Sequence, residues 1–162
     1  MPTTAKRSEP DACALLDSDH RKVKKLFKQY EELAGSRSTQ QRRELALEIC
    51  MELTVHAQLE EEIFYPALRA SLKETDLLDE AEVEHATAKD LIAQIQDAGE
   101  VDDKFDALVT VLGEYIDHHV KEERGEIFPK ARDSKLDLVQ MREQLMARKE
   151  ELVAENAGAM AG

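Results

Sequence analysis

Residues 56–66 read HAQLEEEIFYP and residues 119–129 read HVKEERGEIFP, with histidine, glutamate and proline at the same offsets in both. His56 and Glu60 stand four apart, as do His119 and Glu123. On a helix each pair therefore projects from one face, a turn apart. A weaker echo surrounds them: His20, Lys24, Leu26 and Gln29 recur as His85, Lys89, Leu91 and Gln94. His20 precedes His56 by 36 residues, and His85 precedes His119 by 34. The chain reads as two helical hairpins related by a pseudo-twofold, each bringing one lone histidine and one His-x-x-x-Glu pair to a common centre.

Apolar spacing supports this. Cys13, Leu16, His20, Val23, Phe27 and Tyr30 alternate at three and four residues, as do Ile49, Leu53, His56, Glu60, Ile63 and Ala67. Leu78, Ala81, His85, Ala88, Ile92 and Ile95 form a third series, and Phe105, Leu108, Leu112, Tyr115 and His119 a fourth. Such spacing is the seam of a helix packed in a bundle, and each of the four seams carries a histidine. Punctuation predicts helices over 9–34 (Ser8 as cap, Pro10 in the first turn, Gly35 as stop), 38–65, 75–99, 102–128 and 134–156. Pro66 is expected to kink the second helix or end its regular part, and Pro129 to follow the fourth. The expected fold is all-α: an up-down-up-down four-helix bundle over 9–132 with an additional C-terminal amphipathic helix over 133–156. Flexible ends are expected at 1–8 and 157–162.

Composition narrows the function. The 162 residues carry 35 Asp and Glu against 22 Lys and Arg, a formal net charge of -13. This excess of acid argues against a nucleic-acid groove or an anionic membrane surface as partner. The chain is 42% hydrophobic with few glycines and prolines and no tryptophan, a balance that suits helices. Two cysteines, Cys13 and Cys50, are too few for a disulfide framework or a thiolate zinc site. No apolar run reaches membrane-spanning length and no secretory leader is evident, so a cytoplasmic location is expected.

Four imidazoles and two carboxylates buried together are costly unless something positive pairs with them. Two divalent metals resolve this, each taking two histidines from His20, His56, His85 and His119, with Glu60 and Glu123 bridging. Nitrogen and oxygen donors without thiolates suit iron, manganese or zinc, and open coordination positions would admit water, oxygen, peroxide or nitric oxide. His118 has polar helical neighbours in Glu114, Lys121 and Glu122 and reads as solvent-exposed, leaving His119 as the ligand. Asp17 and Glu82, each three residues before a histidine, are candidates to orient His20 and His85. Tyr115 is equally a donor to a bound ligand or a core aromatic. Glu61 and Glu62 read as solvated, or one of them as an alternate carboxylate ligand, although the repeat selects Glu60.

From His20 to Pro129 these residues resemble the hemerythrin-like HHE cation-binding domain. The carriers are His20, His56 with Glu60, His85 (in VEHATAKDLI), and His119 with Glu123. The resemblance implies an up-down-up-down bundle around an oxo- or hydroxo-bridged non-haem di-iron centre. Oxygen-carrying members have a second histidine where this chain has Lys89, and a His-x4-Asp motif where it has His119-x-x-x-Glu123. The four-His, two-Glu set looks more like bacterial di-iron proteins of nitrosative stress and iron-centre repair, and like the iron- and oxygen-sensing domain of a eukaryotic ubiquitin-ligase subunit. The repair proteins carry an extra cysteine-containing N-terminal module for which this chain has no room. Some stand-alone bacterial domains of the family resemble peroxide-decomposing enzymes.

Two functions follow as expectations. One is a redox centre that metabolises peroxide, nitric oxide or oxygen, drawing where needed on an external electron donor. The other is a non-catalytic module that binds or senses iron or oxygen. The stripe Leu138, Met141, Leu145 and Leu152 on the last helix needs a partner, and packing on the bundle is the simpler of its two solutions. Oligomeric state is not legible.

Overall fold

The computed structural model describes residues 10–34 and 38–161, with side chains to 157, and these residues hold helices and no strand. Helix α1 (Ala12–Leu33) begins where Asp11 accepts a hydrogen bond from the Ala14 N–H at 2.9 Å. The cap is thus Asp11 and not Ser8, which lies outside the described residues. The Asp11 carboxylate accepts one of the N–H groups that the first turn leaves without a helical partner. Helix α2 (Thr39–Leu59) returns alongside α1. Helix α4 (Asp76–Asp97) and helix α5 (Asp103–Glu122) form the second hairpin, with Asp102 capping α5 through the Phe105 N–H. In the bundle α1 touches α2 and α5, and α4 touches α5 and α2, which is the up-down-up-down order expected.

The second and fourth helices depart from regularity at matching places. After Leu59 the chain makes a π turn over Glu60–Phe64 before helix α3 (Tyr65–Ser71) carries it on. After Glu122 it makes another over Glu123–Ile127, followed by helix α6 (Phe128–Asp133). The Tyr65 N–H reaches back five residues to the Glu60 carbonyl, and the Phe128 N–H does the same to Glu123. Each proline then occupies the first turn of the short helix that follows, where an N–H is dispensable. Pro66 therefore does not end the helix. The wider turn carries the missing hydrogen bond, and the helix runs past it.

A π turn inserts one residue without advancing the α-helical register. The seam expected at Ile63 and Ala67 accordingly falls one residue later, at Phe64 and Leu68, and Tyr65 is carried inward beside them. Helix α5 also corrects the reading. Its buried line runs Phe105, Val109, Leu112 and His119, while Leu108 is half-buried and Tyr115 is 44% exposed.

Two apolar clusters fill the bundle. One is built on Leu16, Leu59, Phe64, Leu68 and Phe128, the other on Val23, Ile49, Leu53, Ile92 and Leu112. Each of the four seam histidines lies between a residue of the first cluster and one of the second along the chain, His119 between Leu112 and Ile127 of the following π turn. Arg42 and Tyr30 meet on Asp106 at 2.8 and 2.6 Å, tying α2 and α1 to α5.

Helix α7 (Leu138–Ala161) packs against α1, α2 and the first π turn, burying Leu138, Met141, Leu145 and Leu152. It starts later than Ser134 because the Asp137 side chain accepts from the Gln140 N–H, and it continues beyond Asn156. No described helix is long and apolar enough to cross a membrane.

Cys13 and Cys50 are free and fully buried, and burial pushes both thiols up to about 12. Thiolate is the reactive form, so iodoacetamide at about pH 8 is expected to label neither cysteine in the native protein and both after denaturation. Mass spectrometry of the alkylated chain reads this directly.

Candidate metal centre

Four helices each deliver one histidine to a single level of the bundle, and all four rings are buried. What orients each ring is a carboxylate on its outer nitrogen. His20 Nδ1 lies 3.1 Å from Asp17, His56 Nδ1 3.1 Å from Asp19, His85 Nδ1 2.8 Å from Glu61, and His119 Nδ1 2.7 Å from Glu84. A carboxylate only accepts, so each Nδ1 carries the proton and each Nε2 presents its lone pair inward when the ring is neutral. Hydrogen-bonded carboxylates of this kind fix the tautomer of metal-ligating histidines.

The inward atoms converge. His20, His56, Glu60 and Glu123 each offer an atom within 4.8 Å of the others, and Glu60, His85 and His119 do the same. Both glutamates are fully buried and reach across the two histidine pairs. Glu60 Oε1 lies 3.5 Å from His56 Nε2 and 3.1 Å from His85 Nε2. Glu123 lies 2.9 Å from His20 and 3.6 Å from His119 through its two oxygens.

Tyr65 stands at the middle of the set. Its hydroxyl donates to Glu123 Oε2 at 2.7 Å and lies 3.2 Å from Glu60 Oε1, 3.3 Å from His119 Nε2 and 3.4 Å from His85 Nε2. Burial, reinforced by Glu60 and Glu123, holds its phenol well above the ordinary range, so it remains a proton donor.

The donor chemistry fits a cation. His56 Nε2 and Glu60 Oε2 are buried with no hydrogen-bond partner, and His85 Nε2 faces His119 Nε2 at 3.2 Å. Lone pairs aimed at lone pairs repel unless a metal or a proton lies between them. Burial opposes charge on these rings, but the carboxylates outweigh it. Glu60 and Asp19 raise His56 to about 10, and Glu123 and Glu60 raise His119 to about 12. Glu60 is held well below the carboxylate range despite its burial, chiefly by His56.

A cavity of about 40 Å³ adjoins the centre, lined by the four histidines and by Val23, Leu53, Ala88, Ile92 and Ile116. It has room for one or two molecules of water size. Glu84 lines it, whereas Glu60, Glu123 and Tyr65 do not.

All six side chains read from the sequence as ligands, His20, His56, Glu60, His85, His119 and Glu123, meet here. Asp17 orients His20 as expected. Glu82 does not orient His85: it pairs with Arg69 at the surface, and Glu61 takes the histidine instead. Glu61 is therefore not merely solvated, and Glu62 pairs with Arg148 of α7. His118 is 66% exposed and lies beside Glu84 and Glu122. Tyr115 lines the mouth of the cavity without a hydrogen bond to the centre, the place expected of it being filled by Tyr65. Asp19, Glu84 and Tyr65 were not legible. Asp19 and Glu84 each precede a ligand by one residue but serve a histidine on another helix, and Tyr65 reaches the centre only through the π turn.

The sequence model of the hemerythrin HHE cation-binding domain matches residues 11–131. A protein of Nostoc sp. strain PCC 7120 described as a DNA nickase is 33% identical over 116 residues, which are 72% of this chain and 32% of that protein. The chain thus spans about a third of the length of that curated relative. Among solved structures, a hemerythrin HHE cation-binding domain-containing protein of Mycobacterium kansasii, the Rv2633c homolog, superposes with a TM-score of 0.76 at 22% identity. That match covers 90% of this chain and 88% of the other.

Raised histidines make metal uptake a proton exchange. At pH 7 metal-free His56 and His119 are imidazolium, and a metal takes only the neutral ring. Calorimetric titration of metal-free protein with a divalent ion is expected to show proton release, read from the dependence of heat on buffer. The same shift sets the stability of the metal-free fold. A folded value above the ordinary 6.5 stabilises fully below that value, and the contribution is lost as pH rises through about 10. The melting temperature of metal-free protein is therefore expected to fall between pH 7 and 10.

Proposed function

The chain belongs to the hemerythrin HHE cation-binding domain family, and from that premise we propose that it holds two iron ions and binds or turns over a small oxidant: oxygen, peroxide or nitric oxide. The observation that carries this reading is the convergence of four oriented Nε2 lone pairs on two fully buried carboxylates. His20 and His56 would hold one ion and His85 and His119 the other, with Glu60 and Glu123 spanning both. Six donors shared between two ions leave positions open. Iron would supply the electron exchange, and manganese or zinc would fit the same donors. Roles in oxidative or nitrosative stress or in iron homeostasis follow from such a centre.

The chain's own residues set the rest. The small apolar cavity favours diatomic and peroxide ligands over organic substrates. The Tyr65 hydroxyl holds a proton within 3.4 Å of Glu60, Glu123, His85 and His119. Peroxide disproportionation suits this arrangement because one peroxide reduces what another oxidises, with no external donor. Nitric oxide or oxygen reduction would draw on an electron donor from outside the chain. The nicking activity named for the Nostoc relative belongs to a protein of which this chain spans a third, and the net charge of -13 opposes docking on DNA.

Metal analysis of freshly purified protein is expected to give close to two irons per chain, with near-ultraviolet absorption that changes on adding peroxide. Glu60→Ala and Glu123→Ala should each lose most of the metal, while His118→Ala retains it. Tyr65→Phe should keep the iron and slow oxygen evolution from peroxide. Metal-free protein that stays empty after anaerobic incubation with ferrous iron would refute the di-iron reading, and loaded protein that evolves no oxygen above free iron would refute disproportionation.

A further inference from the structure

Helix α7 is not part of the four-helix bundle, yet one of its side chains reaches the outer ring of the centre. Asp19, 4% exposed, sits between His56 Nδ1 at 3.1 Å and Lys149 Nζ at 2.6 Å. Lys149 lies between Leu145 and Leu152 on the face of α7 that is buried against the bundle. Its side chain is 29% exposed, at the edge of that face, and its ammonium is directed at the buried carboxylate that orients a candidate ligand. The neighbouring Arg148 makes a two-nitrogen contact with Glu62, inside the π turn that begins at Glu60.

The other orienting carboxylates are held from within the bundle. Arg124 of the second π turn and Arg21 of α1 grip Asp17, and Lys89 of α4 grips Glu61 at 2.7 Å. Glu84 faces the exposed His118 at 3.5 Å. Among the described residues, the cation on Asp19 is the one supplied by α7. The two halves of the centre are therefore unequal: α7 holds the orienting carboxylate of His56 directly through Lys149, whereas the carboxylates that orient His85 and His119, Glu61 and Glu84, have their partners on α4 and α5.

We propose that α7 is a clamp on one half of the centre, with Lys149 as its positioning residue: Lys149 fixes Asp19, Asp19 fixes the His56 imidazole, and occupancy of that half and docking of α7 strengthen each other. The inference rests on the two-metal reading above. Coupling of this kind is reciprocal, so metal steadies the helix to the degree that the helix steadies metal. A loosened orienting partner lowers metal affinity by about 10–100-fold, and the effect falls on one of the two ions.

The test is anaerobic titration of metal-free full-length protein with ferrous iron, paired with hydrogen–deuterium exchange of α7 in the metal-free and loaded states. Wild type is expected to bind two ions and to slow exchange in the middle of α7 about tenfold on loading. Lys149→Met should bind one ion as wild type does and the other at least about tenfold more weakly, and its α7 should no longer respond to metal. Lys149→Arg should restore both readouts. Arg142→Ala, which removes a contact to Glu143 on the same helix, should change neither. Circular dichroism confirms that each variant is folded. Wild-type uptake with no change in α7 exchange, or uptake by folded Lys149→Met identical to wild type, overturns the inference. Wild type that binds no iron overturns the metal reading on which it rests.

Discussion

Four hydrogen bonds on the outer nitrogens of four histidines decide the character of this molecule. Each joins Nδ1 to a carboxylate, from Asp17, Asp19, Glu61 or Glu84, and each commits the ring to one tautomer and one orientation. Without them the imidazoles would be free to turn their protons inward and satisfy Glu60 and Glu123 as ordinary hydrogen-bond donors. With them the interior is a ring of acceptors, stable only around positive charge. Three of the four bonds cross from one element to another, so the same contacts that prepare the centre also pin the helices together at its level.

The π turns are the second device, and they serve the first. Each begins at the buried glutamate and ends two residues before the proline. Absorbing the proline by widening the helix, rather than by ending it, lets the chain run on as helix past Glu60 and Glu123. It also shifts everything after them by one residue. That shift places Phe64 and Phe128 in the apolar cluster next to the centre and carries Tyr65 to its middle. A straight helix would present Ile63 and Ala67 there and leave no hydroxyl among the ligands.

The duplicated His-x-x-x-Glu motif made the bundle and its six inward side chains legible, because ligand spacing and seam spacing coincide on a helix. What stayed hidden was whatever depended on a second element. Asp19 and Glu84 look like surface acids beside a ligand in their own helices, and their histidines lie on α2 and α5. Local spacing pointed to Glu82 for His85, whereas the π turn presents Glu61 from across the bundle. A three-residue step from Leu112 puts Tyr115 in the seam, whereas the line in the fold passes through Ile116. The repeated interval from glutamate to proline was in plain view as a motif, but its meaning as a register shift requires knowing that the helix continues.

Charge explains why so acidic a chain tolerates this interior. The centre and its orienting ring gather four histidines, two fully buried glutamates and four orienting acids, six carboxylates in all. Four full cations, Arg21, Arg124, Lys149 and Lys89, stand against them. With neutral histidines the deficit is negative, and the raised His56 and His119 show how the metal-free chain meets it, by taking up protons. Metal and proton thus compete for the same deficit, and the outer cations set how large it is. Removing one of them deepens the local negative field while loosening the histidine it holds through its carboxylate. These two effects on metal act in opposite directions, a stronger electrostatic pull against a poorer geometry. Geometry is the stronger where the carboxylate is buried, as Asp19 is, because an unanswered charge there must move toward solvent or protonate, and either change releases the ring.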